Sequence, residues 1–244
     1  MKNIKLILQY DGSNYHGFQI QPDVVTIQSV LQDTLKAITG ENIKVNGCSR
    51  TDAGVHAYRY CAGFLTESPI PADRFSIVMN NFLPKDIRVI SSSQENDDFH
   101  PRFSVRSKQY VYTIKNSSDI NVFSRNYVWQ ISNKLNVELM NKAADFIIGK
   151  QDFKSFMTAG AQVESTVRNV MSLDVKKDGD GIKIYIEADG FLYNMVRIIT
   201  GTLVWVGEGR IAPEDVKQII LKKDRMYAGP TAPAQGLALN EIYY

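Results

Sequence analysis

The stretch Gly47-Cys48-Ser49-Arg50-Thr51-Asp52-Ala53-Gly54-Val55-His56 sets a guanidinium and a carboxylate two residues apart among small neighbours. Small residues let a backbone come close to a ligand. A carboxylate offered there can attack an electron-poor carbon or stabilise a cation developing on it. The same residues also suit a hairpin turn whose aspartate bonds its own backbone, with Arg50 simply solvated. A second charge stands out downstream. Arg197 interrupts the apolar run Phe191-Leu192-Tyr193-Asn194-Met195-Val196-Arg197-Ile198-Ile199. A charge in such surroundings needs a partner, unless its long stem lets the head reach water.

Other chemistries find little support. His16, His56 and His100 are far apart, and neither Cys48 nor Cys61 forms a C-x-x-C pair, so no metal site is expected. No glycine pattern matches a phosphate-binding loop or a dinucleotide fingerprint. Cys48 borders the Asp52 loop but suits a small buried thiol better than a nucleophile. Two cysteines among 244 residues exclude a disulfide scaffold and fit reduced thiols in the cytoplasm. The opening MKNIKLILQYDG reads as a strand and not as a signal peptide. No apolar run is long enough to span a bilayer. With 28 basic and 26 acidic side chains the net charge is only +2, so nucleic-acid binding has to come from local patches. Arg102, Arg106, Lys108 and Lys115 form one, with Arg50 and Arg59 nearby in type, and Lys222, Lys223 and Arg225 form another.

The elements that must hold these residues can be read from periodicity. Ile4, Leu6 and Leu8 alternate, which predicts a strand over 3–10. Thr26 is a helix N-cap, Ile27, Val30, Leu31, Leu35 and Ile38 follow at helical spacing, and Gly40 is the stop. Strands are expected over 43–47 and 56–66, flanking the Asp52 turn. A helix after Pro71 takes Phe75, Val78, Met79 and Phe82 as its apolar face, and a strand over 86–92 closes the unit. The second half repeats the order: a strand over 105–115 with Tyr110 and Tyr112, a helix over 136–148, strands over 166–176 and 182–188, helices over 191–206 and after Pro213, and a strand over 237–243. On pattern alone Tyr110 and Leu237 suit core positions. With 44% hydrophobic and 22% charged residues the chain can bury such a core. The predicted fold class is α+β: two ferredoxin-like (β-α-β-β-α-β) halves with antiparallel sheets. They cover residues 1–100 and 101–244, divided at the polar stretch Ser91–Asp98.

Arg50-Thr51-Asp52-Ala53-Gly54-Val55-His56 resembles the signature of the tRNA pseudouridine synthase A family (TruA). Tyr10-Asp11-Gly12 with Tyr15, Gly17, Phe18, Gln19 and Gln21, continued by Thr26, Gln28 and Leu31, is similar to the family's N-terminal motif. Phe99-His100-Pro101-Arg102-Phe103 with Lys108-Gln109-Tyr110-Val111-Tyr112 resembles the segment opening its second half. Asp152-Phe153-Ser155-Phe156, then Phe191 with Met195-Val196-Arg197, and Gly236-Leu237 match as well, so the likeness runs in order along nearly the whole chain. One departure is Ser49, where the family usually carries glycine; a negative φ there leaves the loop intact, and a positive φ shifts it.

The resemblance implies an isomerase that converts uridine to pseudouridine at positions 38, 39 and 40 of the tRNA anticodon stem-loop. It implies Asp52 as the catalytic carboxylate, acting on a flipped-out uridine. Tyr110 then stacks on the base, and Arg197 pairs with Asp52 to keep it ionised where burial alone would raise its pKa. Arg50 assists flipping and phosphate contact, and Leu237 packs near the base. The catalytic cleft is expected where the two halves meet. Nothing is oxidised or hydrolysed overall, so no cofactor is implied, and a cytoplasmic homodimer is. Two alternatives stay open: a paralogue with altered uridine choice, and a non-catalytic RNA-binding module. The second calls for an aromatic RNP1 sequence, which is absent.

Overall fold

The computed structural model describes residues 1–160 and 163–244. In chain order its first elements are β1 (Lys2–Tyr10), α1 (Ile27–Thr39), β2 (Asn46–Gly47), β3 (His56–Thr66), α2 (Phe75–Asn80) and β4 (Ile87–Glu95). Then come β5 (Ser107–Asn116), β6 (Trp129–Ile131), α3 (Val137–Asp145), β7 (Gly149–Asp152), β8 (Val167–Asp178) and β9 (Gly181–Ala188). The chain finishes with α4 (Met195–Gly207), α5 (Asp215–Lys222) and β10 (Leu237–Tyr243). These pack as two compact units, Met1–Arg106 with Ala238–Tyr244, and Ser107–Leu237. The fold class is α+β. Among the described residues, no helix is long and apolar enough to cross a membrane.

In the first unit the strands run in the order β4–β1–β3–β10, with β2 also pairing β3. The alternation of Ile4, Leu6 and Leu8 puts all three in the core with no exposed surface. Thr26 caps α1 as expected: its hydroxyl accepts from Ser29 N–H at 3.2 Å, and Ser29 Oγ accepts from Thr26 N–H at 3.1 Å. The helix ends at Gly40, and it turns Ile27, Leu31 and Leu35 inward. Phe64 of β3 meets Phe75 of α2 edge-on, centroids 5.2 Å apart, which fixes the helix to the sheet. In the second unit the order is β5–β9–β8–β7, with β6 on β5, and α3 packs against α4 and β8. The strands β8 and β9 close through the two-residue turn Gly179-Asp180, Gly179 having φ +61°.

Several expectations shift. Two pairings depart from the expected antiparallel sheets: β10 runs parallel to β3 and β6 runs parallel to β5. Only Asn46 and Gly47 of the strand expected over 43–47 join the sheet. The helix α2 stops at Asn80, and Phe82 beyond it lies off the buried face at 61% exposure. The apolar helix begins at Met195 rather than 191, since Asn194 takes left-handed backbone (φ 61°) that no α-helix continues through. The polar stretch near 91 is no linker: Ser91 and Ser93 extend β4 and pair with Ile7 and Lys5 of β1. The terminal strand groups with the first unit, where the sequence pattern had assigned it to the second half.

Candidate active site

Asp52 sits half-buried in the loop between β2 and β3, with Arg50 exposed and Thr51 buried. That alternation comes from how Thr51 is held. Its hydroxyl shares a buried hydrogen bond of 2.9 Å with the Tyr10 hydroxyl, and its carbonyl accepts from Phe18 N–H at 3.1 Å. Beneath the loop Phe18 stacks on Tyr60 at 4.4 Å, and Tyr10 leans on Tyr60 at 5.6 Å. The Tyr60 hydroxyl donates to the Ser49 carbonyl. Gly17 makes this packing possible: its φ is +80°, and a Cβ there would stand 2.3 Å from the Thr51 carbonyl oxygen. The loop closes on itself through Val55 N–H to the Asp52 carbonyl, 3.2 Å. Ser49 is not among the residues with positive φ, so serine fits there without backbone strain.

His56, next to the motif, is structural. Its Nδ1 accepts from Gly12 N–H at 3.0 Å, tying the end of β1 to the start of β3. Asp11 Oδ1 lies 3.1 Å from the same nitrogen, but one nitrogen cannot both accept from Gly12 and donate to Asp11. Ser13 already gives that oxygen two hydrogen bonds, of 2.9 and 2.6 Å, so we assign the Gly12 bond. Cys48 and Cys61 are both fully buried. Burial pushes the Cys61 thiol up to about 11, with a hydrogen bond from Tyr244 opposing the shift, which leaves it un-ionised and unreactive at neutral pH.

Tyr110, Arg197 and Leu237 belong to the second unit. Tyr110 is 6% exposed, its ring edge-on to Phe191 at 5.2 Å and 90°. Tyr112, on the same face of β5, is fully buried and donates to the Pro233 carbonyl at 2.7 Å. Burial holds its phenol protonated, while the nearby Arg197 charge acts in the opposite sense. Arg197 lies in the first turn of α4, partly buried. Its Nε donates to the Ala232 carbonyl at 2.7 Å and its Nη1 to Asn194 Oδ1 at 2.8 Å. Ala232 N–H returns a bond of 3.1 Å to the Arg197 carbonyl. Leu237, 5% exposed, opens β10 just after a 3-10 turn over Ala234–Gly236. So β5, the 191–197 segment and the 230–237 segment converge within this unit, while Arg50 and Asp52 share the loop of the first.

A model of the tRNA pseudouridine synthase family matches residues 6–104 and 143–244. The chain is 48% identical over 244 residues to the tRNA pseudouridine synthase A of Thermoanaerobacter sp. (strain X514), covering all of both chains. It is 47% identical to the proteins of that name from Ruminiclostridium cellulolyticum and Clostridium acetobutylicum, again over the whole of each. The chain belongs to the tRNA pseudouridine synthase A family.

In this family member the basic residues singled out along the sequence are less bare than their spacing suggests. Arg59 pairs with Glu241 at 2.8 Å, Lys115 with Asp180, and Lys223 with Asp152 at 2.9 Å, while Arg106 donates to the carbonyl of Tyr244. Lys222 lies 3.5 Å over the ring of Tyr227. Exposed pairs of this kind contribute only about 0–1 kcal/mol each, so phosphates can replace their acidic partners at small cost. No cluster of metal-ligating side chains occurs among the described residues. Two participants had no sequence signal strong enough to single them out. Tyr60 is one aromatic residue among several in β3, and Asn194 is a polar residue at a helix start.

The hold on Arg197 depends on how closely the 229–232 segment approaches α4. A Cβ on Gly201 would stand 1.8 Å from the Pro230 carbonyl oxygen. Gly201→Ala is therefore expected to destabilise the protein by about 3 kcal/mol, a fall in thermal midpoint of roughly 6–12 °C. Scanning calorimetry on the purified variant measures it. An unchanged midpoint contradicts the close approach.

Proposed function

We propose that this chain isomerises uridine to pseudouridine at positions 38, 39 and 40 of the tRNA anticodon stem-loop, with Asp52 as the catalytic carboxylate. The observation that carries the reading is Asp52 itself, within a family motif and in a loop pinned at the adjoining Thr51 by Tyr10 and Phe18. The N1–C1′ bond breaks, the uracil turns, and C5 bonds to C1′. The C5 proton leaves and N1 gains one, so the product has the composition of the substrate. Asp52 attacks C1′, attacks the base or takes a proton from C2′, and each route needs it ionised. Arg197 supplies the compensating charge, and this requires Asp52 from the first unit and Arg197 from the second to serve one uridine. Extracting that base from its stack costs a few kcal/mol. Tyr110 recovers part of the cost by stacking, Leu237 packs beside the base, and Arg50 meets the backbone phosphate. The active form is a cytoplasmic homodimer whose two subunits share one tRNA.

Four outcomes are expected. Mapping pseudouridines in tRNA incubated with the pure protein finds them at 38, 39 and 40. Asp52→Ala reduces their formation to background while tRNA binding stays near the wild-type level, and substantial residual turnover in that variant sinks the mechanism. Tyr110→Ala loses about 1–3 kcal/mol of stacking, roughly 5- to 150-fold in rate, whereas Tyr110→Phe stays close to wild type. Equal rates for the two variants remove Tyr110 from the site. Native mass spectrometry should read twice the 27.5 kDa chain mass; a fully active monomer excludes the dimer.

A further inference from the structure

Asn194 occupies an unusual place. It stands at the N-cap of α4, where asparagine is among the best residues because its side-chain oxygen accepts from the first free N–H groups. Here it makes no such bond. Its backbone is left-handed, φ 61° and ψ 10°, a conformation that costs a non-glycine residue about 1–3 kcal/mol. Both the capping bond and the relaxed backbone are given up. The side chain is spent instead on Arg197, three residues ahead, whose Nη1 donates to Asn194 Oδ1 at 2.8 Å.

The orientation of the carboxamide follows from donor and acceptor counting. A guanidinium only donates, so the atom facing Arg197 is the oxygen, and the amide nitrogen faces the other way. It donates to Thr158 Oγ1 at 2.8 Å. Thr158 N–H in turn donates to the Tyr193 carbonyl at 3.2 Å, so the 158 and 193–194 segments are joined by main chain and side chain together. On the other side Arg197 Nε is held by the Ala232 carbonyl at 2.7 Å. Two fixed acceptors, one from each flanking segment, set the plane and direction of the guanidinium.

We infer that Asn194 is a positioning residue for the pseudouridylation reaction: it orients the Arg197 guanidinium, and with it the compensating charge that Arg197 supplies. This rests on the role given above to Arg197. The test separates the two readings. Asn194→Gly keeps the left-handed backbone without strain and removes the carboxamide, both the acceptor for Arg197 and the donor to Thr158, so the protein keeps its fold. Its single-turnover rate on tRNA should fall roughly 10- to 100-fold, the scale of a misplaced active-site group, with the tRNA dissociation constant unchanged. Thr158→Val, which removes the hydrogen-bond partner of the Asn194 amide, should show a smaller loss of the same sign. In an Arg197→Met background, slow because the charge is lost, Asn194→Gly should add less than about twofold, because the group it orients is gone. A wild-type rate for Arg197→Met overturns the role of Arg197. A slow Arg197→Met with a wild-type rate for Asn194→Gly overturns the positioning role alone. So do losses that multiply, since Asn194 then acts independently of Arg197.

Discussion

An aspartate offered by a turn moves with that turn unless something outside the loop fixes the backbone beside it. In this protein that constraint is the contact of the 10–18 segment with the Asp52 loop. The Tyr10 hydroxyl and Phe18 N–H both engage Thr51, the residue between Arg50 and Asp52. The approach is possible because Gly17 has no side chain and takes φ +80°, with its backbone close on the Thr51 carbonyl. Tyr60 supplies the floor, stacked on Phe18 and bonded to Ser49. The motif near residue 12 and the motif near residue 52 are thus one piece of structure, each incomplete without the other.

The second unit solves a related problem with a different device. A guanidinium on an apolar helix is costly to bury and free to swing on a long stem. Its freedom is removed by distributing its donors among carbonyl oxygens that are themselves anchored, Ala232 by a returning bond and Asn194 by Thr158. Neutral acceptors hold the cation without cancelling its charge. An aspartate in place of Asn194 would hold it as firmly and neutralise it.

The near-balance of charge takes on a clearer meaning in this light. Arg59, Lys115 and Lys223 each have an acidic neighbour at the surface, so the protein carries cations already oriented and weakly satisfied. An incoming polyanion can displace such partners cheaply, and affinity gained in this way falls as salt rises. A net charge of +2 therefore agrees with selective contact and disfavours adhesion along the whole surface.

By itself the sequence determined the strands and helices whose signals are local: the alternation of Ile4, Leu6 and Leu8, the Thr26 cap, the Gly40 stop. It also marked Asp52 and Arg197 as residues of interest, because a charge in an apolar run and a carboxylate among small residues are visible without coordinates, whereas Tyr110 stood out only through the family resemblance. Tertiary structure alone decided which residues hold them. Tyr60 lies in β3 and reaches the loop across a hairpin, while Ala232 reaches Arg197 from 35 residues away. It also decided that the terminal strand joins the first unit, and that α4 starts at Met195 and not four residues earlier. Hydrogen bonds between distant segments leave no periodicity in the chain. They arise only when packing brings a donor and an acceptor together away from water, which no window of neighbouring residues can report.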